Sequence, residues 1–190
     1  MSPLDDVAAL FVGDARDRFA WVRDLADRAI AQLSDEEFMG EASERPERVV
    51  AIQVKHLAGL HVSRWTDFIV ADGEKPDRDR DAEFTLQGET RDELMERWDL
   101  GWTRIQESLD GLTQADLTKT LTIRGEPHSV PKAIHRSLAH AAYHVGQIVM
   151  LARNLKGDDW QTLSIPPGGT AEHNRQMAER FGGAGPGSRA

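Results

Sequence analysis

The sequence predicts an all-α protein: a four-helix bundle with a long crossover between its second and third helices and a small β-hairpin before the fourth. Three observations carry that reading. Four segments, each about twenty residues or longer, repeat apolar side chains at the helical spacing i, i+3, i+4, i+7. A charged run between the second and third segments is too long for a simple turn. A short stretch that alternates Thr with Leu and Ile stands just before the fourth.

The first helix runs from about Leu4 to Leu33, with Leu4, Val7, Phe11, Ala15, Phe19, Val22, Ala26, Ile30 and Leu33 on one stripe. Asp and Arg fill its other face. The second spans about Glu47 to Val70 and carries Val49, Ile52, His56, Leu60 and Ser63 on one side. From Asp72 to Glu89 the chain is dense in charge and broken by Gly73, Pro76 and Gly88, as expected of a crossover or a functional loop. Thr90 and Glu93 form a capping-box pattern that opens the third helix, which continues through Leu94, Trp98, Trp102, Ile105 and Leu109 to a stop at Gly111. Leu117 to Ile123, a turn at Arg124-Gly125-Glu126 and a return over Pro127 to Val130 make the hairpin. The fourth helix starts at Val130 and Pro131, where proline suits a first turn, and ends near Leu155 before Gly157. Trp160 to Gly169 reads as an ordered arm, followed by a short helix from Thr170 to Phe181. The whole is one domain, residues 1–181, with a flexible Gly-rich tail over 182–190.

Composition narrows the function. In 190 residues there is no cysteine, which removes disulfide scaffolds, Fe–S sites and thiol nucleophiles, so any metal must be held by His and carboxylate. The 23 basic against 32 acidic residues give a net charge of -9, a surface that repels phosphate backbones, and no nucleic-acid partner is expected. No apolar run approaches the roughly 18 residues of a membrane span, and Met1 to Ala20 carries acids where a signal peptide has a basic start. No membrane partner and a cytoplasmic location are therefore expected.

Of the seven histidines, His140 and His144 lie one turn apart on the fourth helix, about 40° from each other, where both can reach one ion. His56 falls between Val49, Ile52 and Leu60 on the inward stripe of the second helix. Three imidazoles on two facing helices would make a three-ligand site with open positions, suited to zinc, nickel or iron. An i, i+4 histidine pair also arises by chance on exposed helix faces, and core packing without metal is the competing reading. His135 points away from His144, His61 lies well off the His56 direction, His128 is in the hairpin and His173 in the last helix.

The string His140-Ala141-Ala142-Tyr143-His144-Val145-Gly146-Gln147-Ile148 resembles the signature on the last bundle helix of the DinB/YfiT-like superfamily, and Val54-Lys55-His56-Leu57-Ala58-Gly59 resembles the segment that supplies its first histidine. Ser63 to Phe68, Asp72 to Pro76 and Trp160 to Pro166 are similar to an uncharacterised branch of it, and the likeness covers about Leu10 to Met177. The resemblance implies an up-down-down-up bundle, a divalent metal on His56, His140 and His144, and a homodimer. Characterised relatives include thiol transferases and isomerases that use bacillithiol, mycothiol or glutathione.

The expected activity is metal-dependent transfer of a low-molecular-weight thiol to an electrophilic substrate. With no cysteine in the chain, the thiol must come from the cosubstrate. Metal-assisted hydrolysis is the alternative enzyme, and a non-catalytic metal or small-molecule binder the alternative outside enzymes. Gln147 is a candidate outer partner of His144 or a plain helix-face residue. Arg64 and Arg78 to Arg80 could receive an anionic cosubstrate or form surface salt bridges. Trp65, Trp98, Trp102 and Trp160 could line a pocket or fill the core. Asp67 and Glu93 could act as acids or bases, or serve as solvated and capping residues.

Overall fold

The computed structural model describes residues 3–40 and 49–182, with side chains from residue 6 onward. Six α-helices and one two-stranded antiparallel sheet stand among them. The first, α1 (Pro3–Ile30), buries its stripe from Val12 to Ile30, whereas Val7 is 62% exposed, so the first two turns run past their packing partners. The side chain of Leu4 lies outside the description. A short α2 (Asp35–Met39), not expected from periodicity, is started by Ser34 and Glu37 in a capping box and buries Phe38 under the Arg91 guanidinium.

Glu47, the expected start of the second helix, lies outside the described residues; α3 runs over Val50–Trp65. It ends five residues before the expected Val70, because Thr66 is extended, Asp67 takes φ 52°, and the Ser108 hydroxyl donates to the Trp65 carbonyl at 2.7 Å. Every α3 residue except Gln53 and Val62 is buried. That makes α3 central, packed on α4 (Arg91–Asp110), on α5 (Val130–Lys156) and on the crossover, while α1 covers α5 and touches α4. Thr90 and Glu93 form the expected capping box of α4.

The crossover contains one 3-10 turn, Asp81–Phe84. The hairpin is shorter than expected: Gln114–Thr118 is a 3-10 turn, and β1 (Thr120–Ile123) pairs β2 (Glu126–Ser129) through a two-residue turn, Arg124 and Gly125, both at positive φ. Asp72 of the crossover accepts from both turn N–H groups at 2.8 Å, which pins the hairpin to the crossover. Ser129 caps α5, and α6 (Thr170–Phe181) lies on the outside with no buried residue. Residues 183–190, most of the expected tail, lie outside the described residues, and no helix among the described ones is long and apolar enough to cross a membrane.

The core is aromatic. Phe19 meets Trp65 edge-on at 5.4 Å, Trp98 meets Trp102 at 5.4 Å, and all four rings are essentially inaccessible. Trp160 is only partly buried against this core.

Candidate metal centre

α3 and α5 face each other across the interior. His56 on one and the His140, His144 pair on the other bring one ring nitrogen each to within 4.8 Å of the other two. The Nε2 atoms of His140 and His144 are 3.3 Å apart. His56 and His144 are buried, and His140 is partly exposed, so the cluster opens to solvent on its side.

Two of the rings are held from behind. His56 Nδ1–H donates to Glu83 Oε2 at 2.9 Å, and His144 Nδ1–H donates to Gln53 Oε1 at 2.8 Å. Committing Nδ1 as a donor leaves the Nε2 lone pair free, the tautomer a metal-ligating imidazole needs. Glu83 comes from the crossover and is gripped in turn by Arg78, Nε to Oε1 at 2.8 Å and Nη2 to Oε2 at 2.7 Å. Burial works to raise the Glu83 carboxyl, but the bonds from His56 and Arg78 outweigh it and hold it below the usual range. The crossover lies this close to α3 because residue 59 is glycine: a Cβ there would overlap Glu83 Oε1. Arg78 and Glu83 also line an outer cleft of about 510 Å³ that none of the three histidines reaches.

Burial, then the charges of His56, Arg64, Arg78 and Arg136, pull His140 down to about 4; burial, then His140 and His56, pull His144 down to about 3. Both rings are therefore neutral at pH 7, as ligation requires. Three nitrogen donors, two already fixed in tautomer by outer partners, fit a borderline divalent ion.

The expected trio is thus brought together, and its outer partners are the residues the sequence reading did not pick out. Gln53 does for His144 what Gln147 was considered for; its signal was a polar side chain one turn before His56 on the same face. Glu83 carried none, being one acid among many in a charged loop. His61 stays outside the trio, as its direction implies, yet it is fully buried against Trp102, ring centroids 4.7 Å apart, with both nitrogens lacking a partner among the described residues. Burial first, then nearby His140 and Arg64, keeps it neutral. His135 is exposed beside Phe11, His173 sits on α6, and buried His128 places Nε2 2.9 Å from Arg136 Nη1.

Of the arginines considered for an anion, Arg78 is in a salt bridge and exposed Arg80 is loosely paired with Asp81. Arg64 is different. It is 5% exposed, its Nε has no partner among the described residues, and burial followed by Arg136 and Arg78 draws it down to about 10. Glu93 is committed to its cap, and Asp67 forms the turn after α3. Trp65, Trp98 and Trp102 are core residues.

Residues 6–169 match the family described as Protein of unknown function (DUF1572), and the chain belongs to that family. No curated protein and no solved structure matches it.

Proposed function

We propose that this protein holds one divalent metal ion, zinc, nickel or iron, on His56, His140 and His144, and that it is a DinB/YfiT-like transferase of a low-molecular-weight thiol. The observation that carries the metal is the pair of Nδ1 bonds, His56 to Glu83 and His144 to Gln53, behind three converging imidazoles.

An up-down-down-up order is part of the proposal. Arg16 with Asp110 and Asp27 with Trp98 set α1 against α4, Gln53 with His144 and Trp65 with Ser137 set α3 against α5, and Ser108 with Trp65 runs α4 alongside α3; these pairs support it. A homodimer would cover Leu10, Tyr143 and Met150, large apolar side chains left exposed on α1 and α5.

A bound divalent ion supplies a Lewis acid that favours the thiolate form of a thiol and polarises an electrophile. The protein's own residues do the positioning. Glu83 and Gln53 hold two imidazoles in one tautomer, the Arg78 clamp keeps Glu83 in place, and the partly exposed side at His140 is the way in. The absence of cysteine leaves the reacting thiol to the cosubstrate.

Metal analysis of tag-free protein, as isolated and after reconstitution, is expected to find about one transition-metal ion per chain. His144→Ala should lose the metal and any thiol-dependent turnover while keeping its helical circular dichroism. Less than about a tenth of an equivalent in the wild type, where a three-imidazole site should load fully, overturns the metal reading. Full metal with no thiol-dependent turnover overturns the transferase alone.

A further inference from the structure

Six buried side-chain nitrogens lack a hydrogen-bond partner among the described residues: both ring atoms of His61, Arg64 Nε, Trp102 Nε1, His128 Nδ1 and His140 Nδ1. Buried polar groups are nearly always satisfied, so a concentration of unmet ones needs an explanation. These are not scattered. His61 and Arg64 are one turn apart on α3, His61 packs on Trp102, and both His61 and Arg64 lie near enough to His140 for their charges to bear on it or it on them. Trp65, next to Arg64, bonds Ser137 of α5 at 3.1 Å, which sets Arg64 level with Arg136 and His140.

The unmet atoms are mostly donors. A guanidinium and an indole N–H can only donate, and a neutral imidazole has one donor and one acceptor. The charge of Arg64 itself is unmet as well. Among the described residues Arg64 is paired with no carboxylate, whereas the cations that bear on it have their own acids: Arg136 meets Glu126 at 3.5 Å, Arg78 meets Glu83 at 2.7 Å, and Glu74 is shared between Arg78 at 3.0 Å and Arg124 at 3.4 Å. Water could meet the hydrogen bonds but would leave the charge uncompensated, and an unpaired buried cation is strongly destabilising. The crossover backbone closes over this arginine at Gly73, where an added Cβ would stand 3.6 Å from Arg64 Nε.

We propose that Arg64, with His61 and Arg136 beside it, forms an oxyanion-binding site next to the three histidines, which takes the carboxylate or phosphate of a small anionic ligand. A planar guanidinium matches either group bidentately. The site deepens the metal reading, on which it rests only for what the other end of the ligand does; anion binding itself does not require the metal.

The test titrates inorganic phosphate and, separately, acetate into the full-length protein by calorimetry at constant ionic strength, in metal-free and metal-loaded forms. One saturable site per chain is expected for at least one probe, with a Kd of about 1 mM or tighter. The probe that binds tells phosphate from carboxylate. Arg64→Gln should weaken binding about tenfold or more, as expected for a lost charge-assisted bond, and Arg104→Gln, at a half-buried position on α4 where the side chain pairs with Glu107, should leave it unchanged. Where Arg64→Gln does not fold, Arg64→Lys decides: it keeps the charge and loses the fork, so weakened binding supports the site and unchanged binding overturns it. No saturable binding of either probe overturns the proposal, as does equal binding in wild type and Arg64→Gln. Anion binding in a protein that takes up no metal would overturn the metal reading alone.

Discussion

The two sides of this interior handle buried polar atoms differently. In the aromatic cluster around Phe19, to which α1, α3 and α4 contribute, two of the three indole N–H groups are paired: Trp98 Nε1 bonds Asp27 at 2.8 Å and Trp65 Nε1 bonds Ser137 at 3.1 Å. On the side of α3, α5 and the crossover, buried His61 and Arg64 have nitrogens without a partner among the described residues, and so does the Nδ1 atom of the partly exposed His140. Trp102 stands on the border, packed with Phe19 and Trp98 on one flank and with His61 on the other. The first side is built for cohesion. The second leaves bonding capacity unused inside the fold, which costs stability and is retained where a ligand supplies the missing partners.

That contrast can be broken by mutation, and the largest effect belongs to the cohesive side. Trp98→Ala should cost about 3–5 kcal/mol in denaturant unfolding, the usual cost of emptying a large aromatic site, while the fraction that stays folded keeps its metal affinity. A parallel collapse of metal affinity would mean that the two sides are not separable.

Next come changes on the polar side that should spare the core. Glu83→Gln is expected to lower metal affinity about 10- to 100-fold in chelator competition, because His56 loses the carboxylate that orients it. Gly59→Ala should act in the same direction through the clash with Glu83, although alanine would by helix propensity stabilise α3 by about 1 kcal/mol. Unchanged affinity in Gly59→Ala would show that the crossover does not tune the site.

The smallest effect lies at the hairpin. Burial works to raise the Asp72 carboxyl, but the backbone N–H groups of Gly125, Glu74 and Arg124 outweigh it and hold it well below the usual carboxylate range. A depressed carboxyl stabilises the fold above its unfolded value, and the contribution fades as pH falls toward the folded one. Asp72→Asn should therefore cost about 1 kcal/mol at neutral pH, allowing for solvent screening. Its difference from wild type, followed by thermal unfolding across pH, should shrink below about pH 4. A difference that holds at low pH would assign the loss to something other than the charge.

Much of this fold was legible because its signals are local. The Thr90 and Glu93 capping box, Pro131 beside the start of α5, Gly157 after its end and the bounds of α6 each depend on residues within a turn or two. The early end of α3 was not, because its apolar period continues to Phe68 while the Ser108 bond from a distant helix ends it. The histidine cluster was legible for the same local reason: His140 and His144 share a turn, and His56 sits on an apolar stripe.

His61 marks where such reasoning stops. A helical wheel sorts side chains by direction on the assumption that one face is wet, yet α3 is enclosed by α4, α5 and the crossover, so a residue far off the His56 direction is still interior. The sequence by itself determined which residues form helices and which three imidazoles could converge, since both follow from spacing along one chain segment. Only the tertiary structure decided that Glu83 and Gln53 hold two of them and that Arg64 is buried without a carboxylate partner among the described residues. Partnership between residues far apart in the chain is a matter of distance in space, and no periodicity encodes it.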